Sequence, residues 1–319
     1  MGLMAINCYN PCSRTIISPN IVRRVIRQHH SEVHRNNNVM TEIISQKTEP
    51  LLIVTDLDGT MLNHEDYRFD EAVPALERAH AAGIPVILNT SKTRAELLQL
   101  REALGNTDPF IIENGSALCI PEQHMHLEGT TTEITEGYVE LPLGVGVAEI
   151  RDLLTQLKQK YRFETFSDWT QEELQKQTGL CAEAAPLALK RRYSEAVLWQ
   201  DSDEKRREFL AELADHDLHG LQGGRFLSIL GAEANKGAAL ERLKLLYRPV
   251  FGDTPVVIAL GDSDNDIAML EAADIAVLIA NRARPAPEIS APEVIYSERT
   301  GAQGWNDVVQ KLLDRYGAP

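Results

Sequence analysis

The chain is 319 residues long, 43% hydrophobic and 25% charged, with a formal charge of −15. That length suits one large and one smaller domain, since domains typically hold about 100–200 residues. The acidic balance repels a phosphate backbone and argues against nucleic acid, and no apolar run approaches the ~20 residues that span a bilayer, so a soluble protein with no membrane partner is expected.

Residues 1–49 stand apart. They carry six basic side chains (Arg14, Arg23, Arg24, Arg27, Arg35, Lys47) against three acids, which leaves the remainder at a net −18. The segment lacks the continuous apolar core of a secretory signal. It reads as a disordered basic extension or as an over-long start, because Met40 heads a natural beginning for a first strand. Four cysteines, Cys8, Cys12, Cys119 and Cys181, make neither a CxxC pair nor a zinc spacing with histidine, which suits a reducing cytoplasm.

From Leu51 the pattern alternates strand and helix. LLIVTDLD is a short apolar run, and residues 70–82 have helical spacing and stop at Gly83. IPVILNT is a second run, SKTRAELLQLREALG a helix with a Ser/Thr start, and PFIIEN a third run. Buried strands separated by amphipathic helices mean right-handed crossovers and a parallel sheet. The same grammar returns late in the chain: NKGAALERLKLLY is helical, PVVIALGDSDND a strand ending in acids, DIAMLEAA a helix and DIAVLIAN a strand. The stretch between has elements of its own, namely YVELPLG, the helix VAEIRDLLTQLKQKY, a helical region at 170–192, EAVLWQ, the helix DEKRREFLAELAD and RFLSILG. The expected fold is therefore α/β, a Rossmann-like, mostly parallel core at 50–132 and 232–319 with an α/β cap inserted at 133–231.

Function in an open parallel sheet collects at the carboxyl ends of its strands. Three such ends carry polar residues that an apolar core would not choose: Asp56 and Asp58, Thr90 and Ser91, and Asp262, Asp264 and Asp266. Converging carboxylates repel one another unless a cation sits among them, and hard oxygen donors suit Mg²⁺, which favours one or two carboxylates plus a phosphate. Phosphoryl chemistry follows. Asp56 can attack phosphorus to form an aspartyl-phosphate, while Asp58, two residues on along an extended segment, can protonate the leaving oxygen and later deprotonate water. Gly59 supplies the backbone freedom to leave the strand, and Thr60 can tie down the turn.

In that order and on that fold, DLDGT, the strand-end NTSKT, the NKG lysine and GDSDND resemble the four motifs of the haloacid dehalogenase superfamily of phosphohydrolases. The resemblance spans roughly residues 50–280. It implies that Asp56 is the nucleophile and a Mg²⁺ ligand, that Asp58 is the general acid/base and a ligand through its main-chain carbonyl, that Asp262 is the third ligand and that Asp266 supports the metal shell. Thr90 matches the hydroxyl residue that bonds the transferred phosphoryl group. Lys236 matches the lysine that neutralises it, as the charge balance of phosphoryl transfer requires.

Narrower features, VILNTSKTRAE, IIENG, RRYSEAVLW and GGRF, make the chain similar to the mannosyl-3-phosphoglycerate phosphatase family. That resemblance implies hydrolysis of mannosyl-3-phosphoglycerate to the compatible solute mannosylglycerate and phosphate, with glucosyl-3-phosphoglycerate the alternative, and a functional link to a glycosyl-3-phosphoglycerate synthase. YSE is followed by Ala196 where a proline is expected, and the lysine motif reads NKG where DKG is commoner.

The glycerate part of the substrate carries a carboxylate, so basic cap residues are the expected readers. Arg192 and Arg225 are the candidates, with Lys190 and Arg191 nearby and Ser194 placed for a hydroxyl. Lys92 can approach the same carboxylate from the second strand end. Glu113, Asn114 and Gly115 either contact substrate or form the turn into the cap. Two other readings are weighed: a phosphomutase, against which the mixed α/β insertion argues, and a non-catalytic binding protein, which would have lost Asp56, Asp58 or Asp262.

Overall fold

Thirteen strands carry the architecture in a computed structural model that describes residues 49–124, 134–251, 254–282 and 285–319. The expectation for the basic extension falls, but for its last residue, outside the described residues. In chain order the strands are β1 (Leu51–Thr55), β2 (Val86–Asn89), β3 (Phe110–Ile112), β4 (Ala117–Pro121), β5 (Ile134–Thr135), β6 (Tyr138–Pro142) and β7 (Phe163–Thr165). They continue with β8 (Ser194–Trp199), β9 (Leu218–Gln222), β10 (Leu227–Gly231), β11 (Val256–Gly261), β12 (Ile275–Ala280) and β13 (Glu293–Thr300).

The larger sheet runs β13-β12-β11-β1-β2-β3-β4-β6-β5, parallel from β13 to β3 and antiparallel beyond. Alternation along β1 explains why it is apolar throughout. Leu51 and Ile53 pack into the layer formed with helices 73–81, 94–104 and 301–315, whereas Leu52 and Val54 enter the opposite layer with helices 236–251 and 267–271. Both faces of the strand are covered, as a parallel sheet demands. The mostly parallel α/β core expected from the sequence is what forms.

A second, antiparallel sheet of order β7-β8-β10-β9 makes the inserted unit. Its outer face buries Val197, Leu227 and Ile229 against helices Val147–Leu157 and Asp203–Ala214. Its inner face carries Ala196, Phe226 and Leu198, packed with Phe166 and Leu174. The helical region expected at 170–192 divides into Gln171–Thr178 and Ala185–Ala188.

One boundary is corrected. The strand YVELP, read as the first element of the insertion at 133–231, pairs antiparallel with β4 in the larger sheet, Leu141 opposite Leu118 and Val139 opposite Ile120. The four-stranded unit's own helices and strands therefore begin at Val147. Strand β4 had no separate signal, because ALCIP follows β3 after only the turn Glu113–Ser116 and merges with it into one apolar run.

The C-terminal helix Gly301–Arg315 fastens the sheet to the site. Its Trp305 is fully buried, and the indole Nε1 donates to Thr55 Oγ1 at 3.0 Å, directly before Asp56. We expect Trp305→Ala to lower unfolding stability by about 3–5 kcal/mol, the usual cost of emptying a core site of an aromatic ring, as measured by denaturant titration.

Candidate active site

The carboxyl ends of β1, β2, β3 and β11 meet beneath the inner face of the four-stranded sheet. Between them lies a cavity of about 450 Å³. From below it is lined by Asp56, Asp58, Ser91, Lys92, Asn114 and Asp262, and from above by residues of the inserted unit that include Phe166, Arg191, Arg225 and Phe226.

At the floor is a buried ammonium. Lys236, the first residue of its helix, has no exposed surface, and its Nζ donates to Asp56 Oδ1 at 2.5 Å and to Asp266 Oδ1 at 2.7 Å. Burial alone would pull a lysine down, yet Asp266 and Asp56 outweigh it and raise the Lys236 pKa above its ordinary value. The variation from DKG to NKG leaves the helix start intact: Asn235 Oδ1 accepts the Ala238 N–H at 2.8 Å, which is the capping geometry Asp and Asn share.

Asp266 is committed on both oxygens. Beyond Lys236, its Oδ2 accepts the amides of Asp262 and Ser263 at 3.1 Å each. It therefore orients the lysine and the β11 loop. Asp262 Oδ2 accepts Asn281 Nδ2 at 2.7 Å, and Thr60 Oγ1 lies 3.4 Å from Asp262 Oδ1. Gly59, at φ +87°, is required here for a second reason besides the turn: a Cβ would sit 2.7 Å from Asp262 Oδ2.

One carboxylate oxygen each of Asp56, Asp262 and Asp266 lie within 4.8 Å of one another, all three residues buried. Burial, first of all, and then the neighbouring carboxylates push Asp56 up to about 8 despite Lys236, and burial with Asp266 pushes Asp262 up to about 6. A single ammonium does not neutralise this cluster. The donor set fits a hard divalent cation, and Asp266 is the carboxylate of the three that carries the most hydrogen bonds from the protein.

Asp58 Oδ2 accepts Lys92 Nζ at 2.6 Å, while its Oδ1 is buried without a hydrogen-bond partner. That leaves one oxygen of Asp58 for a proton. Lys92 also lies 5.8 Å over the Tyr67 ring, and its own side chain is only 3% exposed. Thr90 is fully buried, with its Oγ1 accepting the Lys92 amide at 3.2 Å, and Ser91 beside it reaches the cavity.

Several expected substrate contacts have other duties. Glu113 is completely buried, and its carboxylate accepts the Arg192 and Tyr193 amides at 2.9 and 3.1 Å and the Ser194 hydroxyl at 2.6 Å. It is a clasp on the entry to β8. Arg192 turns away to Glu140 Oε1 at 2.8 Å, and Arg225, though at the cavity, donates to the Gln177 carbonyl and to Gln177 Oε1. Asn114 does line the cavity, within 3.4 Å of both Ser228 and Asn265. Trp169 and Trp199 pack among aromatic rings of the inserted unit.

The sequence reading passed over Asn281, although it follows β12 directly and the rule of polar residues at strand ends would have found it. Asn265 and Tyr67 also line the cavity. Asn265 falls within the GDSDND motif, whereas nothing in the spacing marks Tyr67, which arrives through a loop.

A family model for haloacid dehalogenase-like hydrolases matches residues 53–300. The chain belongs to this family. It is 36% identical over 265 residues to a glucosyl-3-phosphoglycerate/mannosyl-3-phosphoglycerate phosphatase of Persephonella marina, covering 83% of this chain and 97% of the relative. The match to the like-named enzyme of Methanococcoides burtonii is also 36%, over 267 residues, with the same shares of the two chains. A solved haloacid dehalogenase-like hydrolase from B. subtilis shares the fold with a TM-score of 0.57 at 22% identity, covering 82% of this chain and 99% of that one. This hydrolase is a phosphatase, cleaving phosphoric monoesters. Among the described residues no helix is long and apolar enough to cross a membrane.

The raised carboxylates set a pH dependence. Asp56 and Asp262 hold protons in the folded state at pH values where the unfolded chain, with ordinary carboxylates near 3.8, has released them. Stability without a divalent cation must then fall as pH rises from about 4 towards 8. We expect the metal-free melting temperature to drop across that window and Mg²⁺ to raise it more at pH 8 than at pH 5. An increment independent of pH would separate the ion from this cluster.

Proposed function

We propose that the protein is a Mg²⁺-dependent phosphatase that hydrolyses mannosyl-3-phosphoglycerate to mannosylglycerate and phosphate through an aspartyl-phosphate on Asp56. The observation that carries the reading is the convergence of Asp56, Asp58, Asp262 and Lys236 under a roofed cavity of about 450 Å³, large enough for a glycosylated substrate. The similar enzymes of Persephonella marina and Methanococcoides burtonii support the substrate class, and both names carry the glucosyl compound as well, so glucosyl-3-phosphoglycerate is the second substrate to test.

Asp56, with one oxygen bonded to Lys236, attacks phosphorus as the ester P–O bond breaks. Asp58, whose Oδ1 is unpartnered, gives its proton to the departing alkoxide and then takes one from the water that cleaves the aspartyl-phosphate, restoring Asp56. Lys236 balances charge on the phosphoryl oxygens, and the Thr90 hydroxyl, an acceptor towards the Lys92 amide, keeps its own proton for one of them. Asp56, Asp262 and the Asp58 carbonyl would hold Mg²⁺, which would supply further neutralisation of that charge. The inserted unit excludes bulk water and reads the leaving group. An upstream glycosyl-3-phosphoglycerate synthase and a cytoplasmic setting accord with this chemistry.

The test is phosphate release with Mg²⁺ from mannosyl-3-phosphoglycerate, glucosyl-3-phosphoglycerate and a panel of simple sugar phosphates. We expect the glycosyl-phosphoglycerates to be preferred and Asp56→Asn to lose at least about 10³-fold in kcat, since the nucleophile acts only in the reacting complex. Turnover surviving in Asp56→Asn would remove it as nucleophile. Equal rates across the panel would leave a general sugar phosphatase.

A further inference from the structure

Of the arginines that the sequence offers to the leaving group, one alone lines the cavity with a buried N–H that has no hydrogen-bond partner. Arg192 is paired with Glu140 and its side chain is 44% exposed. Arg225 spends its guanidinium on Gln177. Arg191 differs from both. It lines the cavity, with Nη1 donating to Ser194 Oγ at 2.8 Å, and its guanidinium lies 5.6 Å from the centre of the Phe166 ring. Its Nε is buried and has no hydrogen-bond partner, and among the described residues no carboxylate pairs with it.

A buried N–H of a cation left unbonded is costly, and most such groups in folded proteins find a partner. Arg191 reaches the cavity with a neutral hydroxyl as its hydrogen-bond partner, and a cation so placed fits an anion. The guanidinium is held from behind, because Ser194 gives its own proton to Glu113 and so presents a lone pair to Arg191. Glu113 is in turn fixed by the Arg192 and Tyr193 amides. A planar fork held this way suits a planar carboxylate, which it can bind through two parallel hydrogen bonds.

We propose that Arg191 binds the carboxylate of the glycosylglycerate leaving group, with Ser194 and Glu113 as the positioning residues that aim it. This deepens the proposed function and rests on its leaving group being a glycosylated glycerate. It also moves the reader one residue from Arg192, which lies on the far side of the clasp.

The experiment compares kcat/KM for the glycosyl-3-phosphoglycerate with kcat/KM for its carboxyl methyl ester, in wild type, Arg191→Ala, Arg192→Ala and Ser194→Ala. The ratio of the two values reports carboxylate recognition and is insensitive to general loss of active protein. Wild type is expected to favour the free acid. Arg191→Ala should lower that ratio roughly 10- to 100-fold, the loss of a charged hydrogen-bonded pair, while Arg192→Ala keeps the wild-type ratio. Ser194→Ala should lower it less, and should add nothing in the Arg191→Ala background.

An unchanged ratio in Arg191→Ala overturns the assignment while leaving the phosphatase reading intact. A wild type that does not distinguish acid from ester overturns the reading of the leaving group, and the assignment with it. If Arg191→Ala fails to fold, Arg191→Lys takes its place: it keeps the charge but loses the fork, so a wild-type ratio in that variant also overturns the proposal.

Discussion

The buried ammonium of Lys236 is the contact on which the site depends. Without it, Asp56 and Asp266 would be two carboxylates confined in the interior, and removing one member of a buried ion pair leaves an uncompensated charge that typically costs about 3–5 kcal/mol. With it, the two halves of the split core are joined at the reacting centre: Asp56 belongs to the first half of the chain, Lys236 and Asp266 to the second. The lysine still does not satisfy the cluster. Asp56 and Asp262 remain raised, as in a cluster that suits a divalent cation.

The segment Glu113–Gly115 couples this floor to the inserted unit. All three residues have positive φ, at 50°, 59° and 91°, an arrangement costly for the two that are not glycine. Surrounding contacts hold it in place. At Gly115 a Cβ would lie 2.1 Å from the Asn235 carbonyl, so this backbone is pressed against the start of the Lys236 helix. Glu113 meanwhile grips Arg192, Tyr193 and Ser194, and Asn114 reaches Ser228 across the cavity and Asn265 on the β11 loop. A short chain of contacts therefore links the inserted unit to the start of the lysine's helix.

Glu140 adds a second hold on the same tripeptide. Its carboxylate accepts Arg94 and Arg192 on one oxygen and the Tyr193 hydroxyl on the other. Two acidic side chains, one from the turn after β3 and one from β6, thus pin Arg192–Ser194 from both sides, and this is why Arg191 is left to face the cavity. The glutamate and the asparagine of IIENG have different surroundings. Its glutamate serves the turn and the clasp, whereas its asparagine borders the space for substrate.

How much of this was legible follows from where each signal resides. DLDGT, NTSKT and GDSDND were readable because apolar strands that end on acids or hydroxyls are wasteful in a core, and a parallel sheet brings such ends to one edge. The split core and the insertion were readable from hydrophobic periodicity, which depends on local geometry alone. Residues whose roles depend on side-chain direction were not. Arg191 and Arg192 are neighbours of one type, and only the pairing of Arg192 with Glu140 separates them. Glu113 looked like a substrate contact because nothing local shows that a carboxylate will meet the amides of residues 79 and 80 positions later. Asn281 lay at a strand end open to the same rule as Asp262, but its value comes from the hydrogen bond between them. The sequence by itself determined which polar residue types stand at the strand ends, because hydrophobic periodicity and motif spacing are local. Tertiary structure alone decided which charges cancel and which remain free for a ligand, because that balance depends on distances between side chains far apart in the chain.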